Sequence, residues 1–135
     1  MTDATGPLEP TSPVTGISHV QLIVSDLPRS ERWYTLVLGL ERLASSDGEY
    51  VALRHRPSRT VVVLSAGSDC MPSGRASERL DHLAFSVSDG DRLRDWAIQL
   101  SALGVDHDGV VDEDGRPSLS LSDPDGISIE LVATH

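Results

Sequence analysis

The sequence is poor in cysteine, in positive charge and in long apolar runs. Cys70 is the single cysteine among 135 residues, so no internal disulfide can form, which is typical of a protein in the reducing cytoplasm. Lys and Arg number 11 against 21 Asp and Glu, and the formal net charge is -10. This balance disfavours nucleic acid and anionic membranes as partners, because phosphate contacts need clustered cations. The apolar runs are strand-sized, so the sequence predicts no transmembrane helix.

Three kinds of segment follow one another along the chain. The first sixteen residues, MTDATGPLEPTSPVTG, contain acids and prolines without an apolar stretch, which predicts a flexible N-terminal tail rather than a signal peptide. Residues 17–67 and 81–135 each show the order strand, helix and three strands. Residues 68–80 lack periodicity, which is typical of a linker or a lid.

Each half contains one helix with an apolar stripe at helical spacing. The first is predicted over Leu27–Leu40 and the second over Asp91–Leu103. The predicted stripes consist of Trp33, Leu36, Val37 and Leu40 in the first helix and of Leu93, Trp96, Ala97, Leu100 and Leu103 in the second.

The two halves also match residue by residue. HVQLIVSD begins at His19 and HLAFSVSD begins sixty-three residues later at His82. The same offset relates two further pairs, Asp26 with Asp89 and Trp33 with Trp96. Three landmarks at one offset, with the same order of elements, indicate an internal βαβββ duplication and an α+β fold.

Strand alternation sorts the side chains of these halves into two faces. One face of each strand is apolar and is expected to pack on the helices. His19, His82 and Glu130 fall on the other face. If that face encloses a cavity, two histidines and a carboxylate converge there, a ligand set that leaves metal positions open.

Three segments carry a resemblance to a known superfamily: SHVQLIVSDLPRSERWYTLVLGL, DHLAFSVSD and DPDGISIEL. They resemble the vicinal oxygen chelate (VOC) superfamily of glyoxalases, bleomycin-resistance proteins and extradiol dioxygenases. The resemblance implies one domain, residues 17–133, in which two βαβββ modules form a U-shaped mixed sheet around a divalent metal. It also implies a homodimer and assigns His19, His82 and Glu130 as metal ligands. Fe2+ or Mn2+ is preferred, with Ni2+ or Zn2+ as alternatives.

The sequence departs from part of the superfamily at Val63. Aligning TVVVLSAG with ISIELVAT places Val63 opposite Glu130, where glyoxalase I-like enzymes carry a glutamate that binds metal and moves a proton. Valine does neither, so we prefer an extradiol dioxygenase-like oxidoreductase to a glyoxalase I-like lyase or isomerase. Fosfomycin-modifying enzymes rank lower, because no Arg or Lys follows Glu130. A bleomycin-resistance-type binding protein without catalysis is a further alternative, since the negative charge suits a cationic drug.

The same alternation predicts the wall of the cavity, which would hold a small-molecule substrate. Tyr50 and Arg54 are the candidate catalytic residues, Tyr50 for proton transfer and Arg54 for holding a carboxylate or an enolate oxygen. Tyr34, His55 and His107 are weaker candidates for proton transfer. The candidate substrate-binding residues are Gln21, Arg54, Ser65, Ser86 and Ser120.

Overall fold

The computed structural model describes residues 17–67, 80–113 and 115–134. The predicted tail and residues 68–79 of the predicted linker, including Cys70, lie outside this part of the chain. The described residues form two successive βαβββ modules, so the α+β duplication is confirmed. The first comprises β1 (Val20–Val24), α1 (Leu27–Leu38), β2 (Glu41–Ser46), β3 (Tyr50–His55) and β4 (Thr60–Ala66). The second comprises β5 (Leu83–Val87), α2 (Gly90–Ala102), β6 (Val110–Glu113), β7 (Arg116–Ser122) and β8 (Ser128–Ala133).

Each module builds its own four-stranded mixed sheet. The strand order is β1-β4-β3-β2 in the first sheet and β5-β8-β7-β6 in the second. In both sheets the first strand pairs in parallel with the last strand, and the remaining strands pair as antiparallel hairpins. The first strand of each module is therefore an edge strand, and the helix follows it directly in the chain.

The matched aspartates of the duplication are the N-caps of the two helices. The Asp26 carboxylate accepts a hydrogen bond from Arg29 N at 3.0 Å, and the Asp89 carboxylate accepts one from Arg92 N at 2.8 Å. These bonds satisfy an N–H group that has no partner inside the helix. Gly39, with φ +70°, ends α1. Neither described helix is long and apolar enough to cross a membrane.

The stripe predicted for α1 is partly wrong. Its buried residues are Ser30, Tyr34 and Val37, whereas Leu36 is 49% exposed. The stripe is rotated because α1 packs on its own sheet and also meets the second module through Tyr34. The stripe of α2 is closer to the expectation, with Leu93 and Leu100 fully buried and Leu103 exposed at the helix end.

A buried hydrogen bond joins the two modules. Tyr34 OH donates to Asp123 Oδ2 at 2.7 Å, and Asp123 Oδ1 accepts from the N–H groups of Asp125 and Ile127, each at 2.8 Å. Burial raises the pKa of Tyr34, and the adjacent Asp123 carboxylate raises it further, so the phenol stays protonated as a donor. Asp125 in turn accepts from Ser25 N at 3.1 Å. The DPDG turn before β8 is thereby held on α1.

The equivalent turn of the first module contains a strained residue. Gly126, with φ +83°, precedes β8, and the equivalent position before β4 holds Arg59 with φ +61°. Arg59 is the only described residue other than glycine with positive φ. A side chain disfavours this backbone conformation, because Cβ approaches a backbone oxygen.

We expect Tyr34→Phe to lower the free energy of unfolding by about 1–3 kcal/mol, because a buried carboxylate loses a hydrogen bond. Urea unfolding followed by circular dichroism measures the change. Tyr50→Phe is the matched control, since Tyr50 is 37% exposed and its hydroxyl has no hydrogen-bond partner among the described residues. A Tyr34→Phe protein as stable as the Tyr50→Phe control would contradict the assigned role of this bond.

Arg59→Gly is expected to stabilise the protein by about 0.5–1 kcal/mol, because glycine adopts positive φ without the Cβ clash. The same unfolding experiment measures it. Arg59→Ala is the control: it removes the long side chain but keeps Cβ, so it should leave stability near that of the wild type. Equal stabilisation by both substitutions would point to the guanidinium rather than to the backbone.

Candidate metal centre

The first sheet has a buried face and an open face, as alternation predicted. The register places Tyr50 beside Ser65, and Arg54 beside Val61. Gln21 Nε2 donates to Ser65 Oγ at 2.6 Å, so these side chains lie on the same side. The opposite side carries the buried residues Leu22, Val24, Val51, Leu53, Val62 and Leu64. We call the side of Gln21, Tyr50, Arg54 and Ser65 the open face of the first sheet.

The second sheet repeats this arrangement. Glu130 on β8 lies between Ala84 on β5 and Ser120 on β7. Ser86 lies beside Val132, one step further along the same face. The open face of the second sheet therefore carries Ala84, Ser86, Ser120 and Glu130, and the two predicted serines share it with the predicted carboxylate ligand.

His82 stands close to Glu130. It comes two residues before Ala84, so alternation places it on the same face, diagonally across from Glu130. The pKa of His82 is raised. The main cause is the hydrogen bond between His82 Nδ1 and Asp81 Oδ2, 2.7 Å apart. Partial desolvation acts in the opposite direction, and the negative charge of Glu130 adds to the rise. The second module thus brings two of the three predicted ligands together.

Both histidines are held by the residue that precedes them. Ser18 Oγ lies 3.1 Å from His19 Nδ1, as Asp81 lies against Nδ1 of His82. In each ring this leaves Nε2 as the atom for a metal, and a carboxylate on the far nitrogen is a common partner of a metal-binding histidine. The sequence reasoning missed Ser18 and Asp81, although the offset of sixty-three already paired them.

The register confirms the alignment at the fourth ligand position. Val63 lies beside Gln21, and Glu130 lies beside Ala84, the residue equivalent to Gln21 in the duplication. Val63 therefore occupies in the first module the place of Glu130 in the second. One carboxylate, not two, stands at these equivalent positions.

His19 does not join the other two ligands within one chain. Among the described residues, no three His, Cys, Asp or Glu side chains lie close enough together to hold a metal ion. His19 lines a cleft of about 940 Å³ between the two modules, and neither His82 nor Glu130 belongs to its lining. A single chain therefore offers His82 with Glu130 on one module and His19 on the other.

The structure also sorts the remaining candidates. Arg54 has a buried Nε atom without a hydrogen-bond partner among the described residues. Tyr34 is buried against Asp123, so it does not reach the open face. His55 Nδ1 is hydrogen-bonded to Ser58 Oγ at 2.7 Å. His107 is bonded to Ser101 at 2.8 Å, at the far end of α2.

The family follows from comparison with known sequences. The sequence model of the Glyoxalase/Bleomycin resistance protein/Dioxygenase superfamily matches residues 16–131. The chain belongs to this superfamily. Its members are often metal-dependent enzymes that bind small molecules, and they often act as dimers. No curated protein matches the chain closely enough to count as a relative.

Solved structures of the superfamily share the fold. A glyoxylase/bleomycin resistance protein/dioxygenase domain from Frankia sp. EAN1pec is 29% identical, with a TM-score of 0.74 and coverage of 90% of this chain and 93% of that one. Lactoylglutathione lyase from Agrobacterium tumefaciens is 22% identical, with a TM-score of 0.73 and coverage of 91% and 96%. The fosfomycin resistance protein FosX from Listeria monocytogenes is 19% identical, with a TM-score of 0.71 and coverage of 90% and 95%. At identities of 22% and 19%, the likeness to the last two structures concerns the fold alone.

Asp81→Asn is expected to lower the pKa of His82 toward that of an ordinary histidine. The Asp81 carboxylate stabilises the protonated ring and so raises its pKa, whereas an amide carries no charge. NMR titration of the ring signals in the metal-free protein measures the change. Asp106→Asn is the control, because it removes one negative charge from an exposed residue that is not among the groups acting on His82. An unchanged midpoint in Asp81→Asn would contradict the assigned hydrogen bond.

Proposed function

We propose that the protein is a homodimeric, divalent-metal-dependent enzyme that acts on a small molecule. Each metal centre takes His82 and Glu130 from one copy and His19 from the other copy. The observation that carries this proposal is the division of the ligands: two are neighbours on the open face of the second sheet, and the third lies on the other module. In a dimer the third ligand would come from the second copy.

The donor atoms suit such a centre. Two imidazole nitrogens and one carboxylate form the ligand set of many mononuclear sites, with room for substrate. In both histidines a preceding side chain engages Nδ1 and leaves Nε2 for the metal. Fe2+ or Mn2+ is the preferred ion, with Ni2+ or Zn2+ as alternatives. The bound ion would act as a Lewis acid on two neighbouring oxygens of the substrate.

The chain's own residues bind and orient the substrate. Arg54 has a buried Nε without a partner among the described residues, so it gains a charge-assisted hydrogen bond when it meets a carboxylate or an enolate oxygen. Gln21 and Ser65 are already bonded to each other and offer further polar groups on the same face. Ser86 and Ser120 supply hydroxyls from the second sheet. Tyr50 is the group that moves a proton.

The reaction we favour is extradiol dioxygenase-like oxidation of a substrate with two adjacent hydroxyl groups. Its support is Val63, which removes the second carboxylate that a glyoxalase I-like reaction uses for proton transfer. Arg54 and Tyr50 on the open face suit an aromatic diol that binds as an anion. A glyoxalase I-like lyase or isomerase is the second candidate, and a bleomycin-resistance-type binding protein without catalysis is the third.

Metal content tests the proposal first. Protein purified without an affinity tag and without oxygen should contain near-stoichiometric iron or manganese, and His82→Ala should lose it. His107→Ala is the matched control, because His107 is bonded to Ser101 away from the open face and should leave the metal content unchanged. Nickel or zinc in the wild type would favour the glyoxalase-like alternative. Absence of metal even after reconstitution would contradict the enzyme proposal and favour the binding protein.

Mixing two inactive variants tests the shared centre. A heterodimer of His19→Ala and His82→Ala contains one centre with all three ligands only if the centre takes residues from both copies. Co-refolded variants should therefore recover metal, measured by elemental analysis of the dimer fraction, while each variant alone does not. Dimers that form from the mixture but bind no metal would show that the ligands come from one chain.

A further inference from the structure

A cleft lies between the two modules, and neither His82 nor Glu130 belongs to its lining. Its volume is about 940 Å³, within the range of small-molecule binding sites. The apolar part of its lining comes from both modules and includes Leu40, Val62, Leu83, Phe85, Trp96 and Leu131. Trp96 Nε1 donates to Val37 O at 3.1 Å, which fixes the indole where the two helices meet.

The cleft exists because the duplication is not symmetric between the modules. The DPDG turn of the second module closes on α1 through Asp123 and Tyr34. The equivalent turn of the first module, residues 56–59, borders the cleft through Ser58 and Arg59, and α2 borders it as well. The residue of α2 that is equivalent to Tyr34 is Ala97, which has no hydroxyl to bind that turn. The turn of the second module is therefore hydrogen-bonded to α1, whereas the equivalent hydrogen bond between the turn of the first module and α2 cannot form.

Two arginines lie at the border of this cleft. Arg59 and Arg92 line it, and neither makes a side-chain hydrogen bond or an ion pair among the described residues. Arg29, the residue equivalent to Arg92, behaves differently, since it donates to Ser25 Oγ at 3.0 Å. Asp95 is the acidic residue in the lining. The net charge of the chain is -10, so two cations that have no partner in the described part of the chain and that border an apolar floor favour an anionic ligand.

Arg59 also has an unfavourable backbone conformation. Its φ of +61° is unfavourable for any residue with a side chain, and the equivalent turn uses Gly126. An exposed residue held in a strained conformation at the border of a cavity points to a role for its side chain. Three separate observations therefore concern the same cleft: the strain at Arg59, the lack of partners for Arg59 and Arg92 among the described residues, and the apolar floor.

We propose that this cleft is a second binding site, which takes a small amphiphilic anion: a hydrocarbon body with one carboxylate or sulfonate group. The body lies against Phe85 and Trp96, and the anionic group is held by Arg59 and Arg92. The lining of the cleft contains neither His82 nor Glu130. It does include Ala84 and Ser86, so the second site adjoins the open face of the second sheet. His19 borders the cleft, which places the ligand next to one predicted metal ligand.

A pair of fluorescent probes tests the proposal on the full-length protein. 1-Anilinonaphthalene-8-sulfonate is the anionic probe, and N-phenyl-1-naphthylamine is the same aromatic body without the sulfonate. We expect saturable binding of the anionic probe at one site per chain. Arg59→Gly and Arg92→Ala should each weaken it on the order of tenfold, because a charge-assisted hydrogen bond is lost, and should leave the neutral probe unaffected. Arg59→Gly also relieves strain, so a loss of binding by this variant is not explained by poor folding.

Two controls locate the site. Arg94→Ala removes a cation from the same helix, but Arg94 is paired with Asp91 and Asp112 outside the cleft, so binding should not change. His82→Ala should not change it either, whether or not the proposed metal centre exists. Absence of saturable binding, or equal binding by the wild type and both cleft variants, would overturn the proposal. Weaker binding by His82→Ala would place the anion at the metal centre instead and would also overturn it.

Discussion

The buried hydrogen bond from Tyr34 to Asp123 determines how the two modules of one chain meet. It holds the DPDG turn of the second module on the helix of the first, and two backbone N–H groups complete the surroundings of the carboxylate. A buried carboxylate is costly without such partners, so this contact is specific as well as stabilising. In this arrangement His19 stands apart from His82 and Glu130, and a cleft is left open between the modules.

The duplication explains the architecture, and the differences between its copies explain the chemistry. Equivalent positions hold Glu130 and Val63, Asp81 and Ser18, Gly126 and Arg59, and Tyr34 and Ala97. Asp81 and Ser18 both contact Nδ1 of the following histidine, but only Asp81 carries a negative charge. In each of the other three pairs, one residue has a polar group or a backbone freedom that the other lacks. The second module therefore carries the predicted carboxylate ligand. The first carries the strained turn and Arg54, whose buried Nε has no partner among the described residues. Neither module alone offers a complete site.

The two proposed sites depend on assembly in different ways. The proposed metal centre would draw on two copies of the chain, so it would form only in the dimer. The cleft is built from both modules of one chain, so it would exist in every copy. Since His19 borders the cleft and is also a proposed ligand, a molecule bound in the cleft lies beside the histidine that one copy lends to the other. His19 would then take part in dimer assembly and also lie beside the ligand in the cleft.

The sequence by itself determined that there are two modules, the order of strands and helix along each module, and the sheet face of the strand residues. These follow from backbone periodicity and from a repeat that is visible at one offset, which are local properties. It also determined that Val63 replaces a carboxylate, since the register confirms that alignment. The tertiary structure decided which face of α1 is buried, because Tyr34 meets a residue 89 positions away. It also decided that His19 lies apart from the other ligands, because the relative placement of the modules depends on side chains that local pattern does not connect.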